Sequence, residues 1–196
     1  MIHSTAEVSD DAVVGEGVSI WQLAHVREGA TIGSETIIGR GAYIGPGVVI
    51  GVRCKVQNYA LVYEPAVLGD GVFIGPAVVL TNDTRPRAVN PDGSLKSGSD
   101  WTAVGVRVAA GASIGANATC VAPVRIGRWA MVAAGSVVVS DVPDFALVAG
   151  NPARRIGWVG RTGERLIEDG PARYTSPMTH HSYRVTSDGV LVEDQQ

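Results

Sequence analysis

Two pairs of polar residues lie eighteen positions apart in the sequence, Tyr63-Glu64 and Thr81-Asn82. A polar stretch rich in proline and glycine follows the second pair directly. A carboxylate and an amide beside a loop form a candidate polar site, although exterior turns are also polar simply because they face water. A histidine, His25, stands in an apolar setting nearer the N-terminus. Imidazole titrates near neutral pH, so this side chain is a candidate general base, or a structural residue making one hydrogen bond.

The elements that must position these residues are set by a strict period of six. Every sixth residue from Ile2 to Leu80 is aliphatic, and a small residue follows four positions after nearly all of them. A helix requires apolar spacings of three and four, and an isolated strand alternates at two. A period of six fits short strands separated by tight bends, each unit turning one large and one small residue inward. The pattern therefore predicts an all-β repeat fold.

The repeat breaks once and then resumes. The spacing from Leu80 to Val108 is 28 residues, which is not a multiple of six. The apolar positions then continue at every sixth residue to Val138, with Cys120 among them. A segment must therefore leave the coil, and residues 83–102 are the polar candidate. Long loops in compact repeats are usually functional or disordered, and we favour a functional loop.

Composition narrows the class of protein. The net charge is −3, and lysine occurs only at Lys55 and Lys96, so we expect neither nucleic-acid binding nor attraction to an anionic membrane. The N-terminus lacks a signal-peptide pattern and no apolar run reaches 18 residues, which predicts a cytoplasmic chain without membrane insertion. Cys54 and Cys120 lie inside the repeat, so we interpret them as buried reduced thiols.

This repeat resembles that of the hexapeptide-repeat acyltransferases. The resemblance implies a left-handed parallel β-helix, with three hexapeptides per coil and about seven coils in all, over residues 1–156. Residues eighteen apart then stack, placing Thr81 over Tyr63 and Asn82 over Glu64. It further implies a homotrimer with active sites between subunits. Residues 157–196 form a C-terminal extension.

More specific motifs resemble one subgroup, the N-acetyltransferases of 3-amino nucleotide sugars, including the enzymes acting on UDP-2-acetamido-3-amino-2,3-dideoxy-glucuronate. The resemblance covers about residues 14–166 and implies transfer from acetyl-CoA to the 3-amino group of a UDP- or dTDP-linked amino sugar by direct attack. The motifs are Val56-Gln57-Asn58, Val62-Tyr63-Glu64, Val72-Phe73-Ile74-Gly75-Pro76, Thr81-Asn82-Asp83, Pro86-Arg87-Ala88, the segment from Gly111 to Thr119, and Ala149-Gly150-Asn151-Pro152-Ala153-Arg154.

The resemblance also implies roles for single residues. Asn82 would lie beside the reacting amine, with His25 as the catalytic base or, alternatively, with the departing sulfur taking the proton. The remaining residues would bind the sugar nucleotide or steady the loop: Glu64, Tyr63, Asn58, Asp83 and Arg87. The chain departs from the subgroup at Gln22, where a second histidine is frequent, and at Ala109-Ala110, where a basic pair is usual.

For acetyl-CoA, the resemblance implies that pantetheine runs along the C-terminal coils. Ala116 and Ala134 stack, and Pro152 would continue their column if the coil does; a thin ligand can lie against backbone amides there. The same residues are also what tight turns of the fold require. Arg154 and Arg155 would meet the CoA phosphates, or else cap the prism.

The C-terminal extension resembles a zinc-ribbon appendage that has lost its ligands. Cysteines would stand at positions such as Gly160, Thr162 and Ser176, so we predict no zinc. Residues 183–185 and 190–192 predict a β-hairpin that covers the end of the prism or a neighbouring subunit.

Two alternatives remain open on the sequence, and a third is disfavoured. One is O-acetylation of a sugar or small alcohol, which the same fold and a histidine base would serve. Another is a non-catalytic β-helix scaffold. The third is a carbonic anhydrase of this fold, which needs three converging histidines; His3, His25 and the pair His180-His181 are too scattered for that.

Overall fold

The computed structural model describes residues 1–194, and most of them wind into a three-sided prism whose faces are parallel β-sheets. Each hexapeptide contributes one strand of two residues followed by a tight turn. The strands of the coil, in chain order within the described residues, are β1 (Glu7–Val8), β2 (Val13–Val14), β3 (Ser19–Ile20), β4 (His25–Val26), β5 (Thr31–Ile32), β6 (Ile37–Ile38), β7 (Tyr43–Ile44), β8 (Val49–Ile50), β9 (Lys55–Val56), β10 (Leu61–Val62), β11 (Val67–Leu68), β12 (Phe73–Ile74), β13 (Val79–Leu80), β14 (Arg107–Val108), β15 (Ser113–Ile114), β16 (Thr119–Cys120), β17 (Arg125–Ile126), β18 (Met131–Val132) and β19 (Val137–Val138).

Successive strands belong to successive faces. The first face consists of β1, β4, β7, β10, β13, β16 and β19, and the second of β2, β5, β8, β11, β14 and β17. The third face consists of β3, β6, β9, β12, β15 and β18, and two later strands extend it at the C-terminal end. Strands on one face pair at an offset of eighteen residues, as in His25 with Tyr43. The predicted left-handed β-helix is confirmed, with about eight turns instead of the expected seven. The additional turn arises because the coil continues past Val138, where Val142 pairs with Ile126.

The core holds the residues that the period of six selects. Ile38 and Ile74 are fully buried, as are Cys54 and Cys120, and both thiols are free as predicted. Burial raises the pKa of the Cys120 thiol to about 12. Ile2 departs from the pattern: it is 52% exposed because its position in the coil lies at the open N-terminal end of the prism.

The break in the repeat is an extruded loop, as expected. Val79 pairs with Thr119 at an offset of 40, where a regular coil has 18, so the loop adds 22 residues without interrupting the first face. Val89 and Leu95 form a small bridge inside the loop. The loop closes where the Val104 amide donates to the Asn82 carbonyl, 3.0 Å away.

The last coil is shorter than the others. Val148 pairs with Val132 at an offset of 16, in strand β20 (Ala146–Gly150), which is then paired antiparallel with β21 (Ala153–Trp158). The coil therefore does not continue at eighteen. Pro152 lies in the turn between β20 and β21 and does not stack over Ala134 as the sequence suggested.

The C-terminal extension is an antiparallel sheet of four strands, β22 (Ile167–Gly170), β23 (Arg173–Thr175), β24 (Ser182–Val185) and β25 (Leu191–Glu193). The predicted hairpin is confirmed, with Val185 opposite Leu191. Tyr183 packs edge-on against Phe145, whose ring centroid lies 5.6 Å away, so the extension covers the C-terminal end of the prism. Within residues 1–194 no helix is long and apolar enough to span a bilayer.

A carboxylate occupies the centre of the segment that resembles a zinc ribbon. Glu164 accepts hydrogen bonds from Thr162 and from Ser176, which is fully buried. A Cβ at Gly160 would lie 2.5 Å from the same carboxylate. The three positions at which the resemblance places cysteines therefore converge on one glutamate.

Candidate active site

The edge between the first and second faces, here called the Glu64 edge, carries most of the predicted polar residues. Val62 pairs with Leu80, so Tyr63 lies beneath Thr81 and Glu64 beneath Asn82, as the eighteen-residue spacing predicts. The loop leaves the coil immediately above them. The sequence therefore places an aromatic ring, a carboxylate and an amide at one point on the prism.

Glu64 is held in an unusual position. Its Oε2 atom is buried and has no hydrogen-bond partner within residues 1–194. The carboxylate lies against Gly45, where any Cβ would collide with Oε2. Glycine is therefore needed at Gly45 to let the carboxylate pack onto the coil below. A buried carboxylate oxygen without a donor is costly, and such groups are commonly satisfied by a ligand or by water.

An aromatic column leads up to Glu64. The His25 and Tyr43 rings lie 5.7 Å apart edge to face, and Tyr43 lies 5.2 Å from Tyr63. Sequence reasoning missed Tyr43, although its position eighteen residues after His25 was a sufficient signal. Burial raises the pKa of Tyr43 and the negative charge of Glu64 raises it further, against the opposing charge of Arg27. The Tyr43 phenol therefore stays protonated and can donate a hydrogen bond.

Arg27 closes the lower side of this column. Its guanidinium makes a two-pronged ion pair with Glu28, at 2.8 and 2.9 Å, and donates to the Tyr43 hydroxyl at 3.4 Å. The guanidinium charge is therefore largely neutralised by Glu28. The Glu64 carboxylate, by contrast, has no ionic partner among the described residues.

His25 and Asn82 are not brought together. His25 pairs with Tyr43, Tyr43 with Leu61, and Leu61 with Val79, which precedes Asn82 by three residues. The two side chains are thus three coils apart, about 14 Å along the prism at the usual strand spacing. The Glu7 Oε2 atom lies 3.9 Å from Nε2 of His25.

The loop residues differ in what they offer to a ligand. The amide side chain of Asn82 makes no hydrogen bond inside the described part of the chain and is half-buried. Asp83 is engaged, because its Oδ1 accepts from the Arg85 amide at 2.7 Å and shapes the start of the loop. Arg87 is exposed and donates to the Pro86 carbonyl at 2.8 Å.

The residues predicted to bind CoA lie on a different edge, between the third and first faces, here called the Ala116 edge. Ile114 pairs with Val132, so Ala116 and Ala134 stack as predicted. Asn58 belongs to this edge too, two coils lower, where its Oδ1 accepts from the Arg40 amide at 2.9 Å. The width of the first face therefore separates Asn58 from Glu64. Within one chain, the two residues cannot belong to the same sugar site.

The two arginines predicted to meet the CoA phosphates lie on β21. Both are exposed, and the Arg154 side chain donates to the Ala153 carbonyl at 2.9 Å. The guanidinium of Arg155 lies over the Trp158 ring, 4.2 Å from its centroid. Among residues 1–194, no group of three or more histidine, cysteine, aspartate or glutamate side chains is arranged to hold a metal ion.

Two family models match the coil. Residues 11–52 match the model of the bacterial transferase hexapeptide (six repeats), and residues 105–140 match the hexapeptide repeat of succinyl-transferase. The matched segments lie on either side of the extruded loop. The chain therefore carries hexapeptide repeats on both sides of that loop.

The hexapeptide-repeat protein is similar over short stretches to characterised transferases. It is 57% identical over 56 residues to dTDP-3-amino-3,6-dideoxy-alpha-D-galactopyranose 3-N-acetyltransferase of Aneurinibacillus thermoaerophilus, a match covering 29% of each chain. It is 55% identical over 49 residues to serine acetyltransferase 4 of Arabidopsis thaliana, covering 25% of this chain and 14% of that protein. The matches thus span less than a third of the length of these relatives.

A solved structure agrees with the fold over a longer stretch. UDP-N-acetylglucosamine acyltransferase from Campylobacter jejuni aligns with 81% of this chain and 75% of its own, with a TM-score of 0.53 and 23% identity. At that identity the likeness is one of fold.

Proposed function

We propose that this hexapeptide-repeat protein transfers the acetyl group of acetyl-CoA to the 3-amino group of a dTDP- or UDP-linked amino sugar. The observation that carries the proposal is the Glu64 edge, where an unpartnered carboxylate and an unpartnered amide lie beside the extruded loop within the described chain. The local 57% identity with a 3-N-acetyltransferase of a dTDP-linked amino sugar supports the choice of acceptor.

The geometry supports direct attack without a histidine base. The neutral 3-amino group attacks the thioester carbonyl, a C–N bond forms, and the C–S bond breaks as the tetrahedral intermediate collapses. Asn82 orients the amine through its carbonyl oxygen, and the nitrogen proton passes to the departing CoA sulfur. His25 lies three coils away from Asn82, so it takes no part at this point of the prism. Alignment of the two substrates supplies most of the acceleration.

Glu64 contributes recognition in this scheme. Its Oε1 atom accepts hydrogen bonds from sugar hydroxyls, while Oε2 stays packed against Gly45. The Tyr43 and Tyr63 rings, 5.2 Å apart, give the sugar an apolar surface beside that carboxylate. The acceptor is therefore bound at the Glu64 edge.

Two edges of one prism cannot by themselves bring the two substrates together. The acceptor lies at the Glu64 edge and CoA at the Ala116 edge, and the first face separates them. A homotrimer that packs the Glu64 edge of one subunit against the Ala116 edge of the next would unite the half-sites. We therefore include a homotrimer with active sites between subunits in the proposal.

The test is product analysis by mass spectrometry. The protein is incubated with acetyl-CoA and a panel of dTDP- and UDP-linked amino sugars, their hydroxyl counterparts, and serine. A 42-dalton gain (the mass of C₂H₂O) on an amino sugar alone supports the proposal. A gain only on a hydroxyl acceptor would favour O-acetylation, an alternative that the local match to a serine acetyltransferase supports. Absence of any product together with absence of acetyl-CoA binding would overturn both.

A further inference from the structure

A cavity of about 460 Å³, here called the β21 cavity, lies where β21 meets the C-terminal sheet. Arg155 and Trp158 of β21 line one side, and Arg165, Glu168 and Tyr174 line the other. The cavity is of the size that a small-molecule ligand occupies. Of these residues the resemblance assigns only Arg155, to the CoA phosphates, and the transfer proposed at the Glu64 edge gives no role to Arg165, Glu168 or Tyr174.

The arginines of the β21 cavity are not neutralised. Neither Arg155 nor Arg165 forms an ion pair with any described residue, although Glu168 also lines the cavity. Arg165 is held in place by its donation to the Ile156 carbonyl, 2.6 Å away, which leaves its remaining N–H groups available. Two guanidinium groups against one carboxylate leave the cavity with a positive charge.

A second cavity at the same end of the protein provides the comparison. It measures about 580 Å³ and also contains two arginines and a tryptophan, Arg128, Arg161 and Trp129. There, however, Arg128 is paired with Asp144 at 2.8 Å and Arg161 with Glu193 at 2.5 Å. The arginines of the larger cavity are therefore paired within the protein, whereas those of the β21 cavity remain free to bind an external anion.

The aromatic residues of the β21 cavity favour a ligand larger than a bare anion. Trp158 is 2% exposed, and its Nε1 is a buried donor that has no acceptor within residues 1–194. The half-buried Tyr174 offers a ring on which a planar base can stack. An unpaired indole N–H, an aromatic ring and two forked guanidinium groups suit a ligand that carries both a base and phosphates.

We propose that the β21 cavity binds a nucleoside diphosphate, with Arg155 and Arg165 on the phosphates and Tyr174 against the base. This rests on the proposed function to the extent that both proposed substrates contain such a group: acetyl-CoA carries a 3′-phosphorylated ADP, and the acceptor carries dTDP or UDP. The C-terminal extension thereby becomes part of a substrate site and not only a cover for the prism end.

The test is calorimetric titration of the full-length protein with 3′-phospho-ADP, ADP, dTDP, UDP and inorganic phosphate. Arg165→Gln is expected to weaken binding of the preferred nucleotide at least tenfold, and Arg155→Gln to do the same. Arg173→Gln removes an exposed charge from the same sheet outside the cavity and should leave affinity unchanged. Preference for the adenine nucleotides assigns the site to acetyl-CoA, and preference for dTDP or UDP assigns it to the acceptor.

The inference is overturned if no nucleotide binds at millimolar concentration, or if both cavity variants bind as the wild type does while their melting temperatures are unchanged. An acetyl-transfer assay separates this from failure of the proposed function. Transfer by the wild type with unaltered KM in Arg165→Gln refutes the cavity alone. Nucleotide binding that is lost in Arg165→Gln, without any transfer by the wild type, refutes the transferase proposal alone.

Discussion

His25 lies on the first face of the prism, three coils below the level of Asn82, which stands at the Glu64 edge of that face. A three-fold axis parallel to the prism would preserve this difference in height, so neither the same subunit nor a neighbour in such a trimer places His25 at the Asn82 level. In the proposed mechanism the departing sulfur, and not His25, therefore takes the proton. Because the two residues are so far apart, substitutions at His25 and at Asn82 should have different effects on activity.

Asn82→Ala is expected to lower kcat/KM for acetyl transfer by about 10²–10³-fold, because the amine loses its orienting hydrogen bond in the transition state. His25→Ala is expected to change kcat/KM by less than about threefold, since an imidazole so far away adds none of the 10²–10⁴-fold expected of a base. Steady-state kinetics with the best acceptor from the panel measures both. Near-complete loss in His25→Ala with mild loss in Asn82→Ala would reverse the assignment and favour a hydroxyl acceptor.

Glu64→Gln is expected to raise KM for the acceptor about tenfold or more, with a smaller effect on kcat. The carboxylate binds the sugar in the ground state and in the transition state alike, so its loss acts on binding. Thermal unfolding should show no destabilisation, because the charge being removed has an unpartnered buried oxygen in the described chain. An unchanged KM would show that Glu64 does not contact the acceptor.

Two isoleucines of one column offer a matched test of the fold. Ile2 pairs with Ile20, and Ile20 with Ile38, yet Ile2 is 52% exposed and Ile38 is fully buried. Ile38→Ala should reduce the free energy of unfolding by about 2–5 kcal/mol, and Ile2→Ala by less than about 1 kcal/mol. Chemical denaturation measures both. Equal losses would mean that the N-terminal end of the prism is covered in solution.

The Glu164 carboxylate should stabilise the C-terminal extension in a pH-dependent way. Burial raises its pKa, but hydrogen bonds from Ser176 and Thr162 outweigh that effect, so the pKa of Glu164 lies below its ordinary value. A depressed folded-state pKa contributes stability above the unfolded pKa of about 4.3, and this is lost as the pH falls through the folded value. The melting temperature of Glu164→Gln should therefore fall below that of the wild type at pH 7 and approach it near pH 3. A constant difference between these pH values would contradict the assignment.

The buried thiols should be unreactive in the folded protein. Cys120 is fully buried, and burial raises its pKa to about 12, so almost no thiolate exists at pH 8. Burial also raises the pKa of Cys54. A thiol-specific chromogenic reagent should react with neither cysteine in buffer and with both in guanidinium chloride. Fast labelling of the native protein would mean that the coil opens locally.

The sequence predicts the coil well because each inward position repeats a single packing problem. Ile38 and Ile74 occupy equivalent buried positions in different coils, so the period of six is nearly sufficient to predict which residues form the core. The shortened last coil was missed, because the offset of 16 between Val132 and Val148 depends on how β21 folds back against β20. No local pattern records that reversal.

The site was only partly predictable for a related reason. The eighteen-residue spacing places Asn82 over Glu64 and also identifies Tyr43 above His25. It does not reveal that Gly45 admits the Glu64 carboxylate, since that contact depends on the direction of one side chain. The charges of the β21 cavity are likewise visible only when the partners of every arginine are known.

The position of the extruded loop allows its length to change during evolution without disturbing the coil. Its 22 additional residues enter and leave the coil at adjacent points, where the Val104 amide donates to the Asn82 carbonyl, while Val79 and Thr119 pair as if the loop were absent. Loops of other lengths could be exchanged at this junction without altering the pairing of any strand. Under the proposed function, insertion and deletion at this junction would alter acceptor preference while the solenoid that carries the loop stays unchanged.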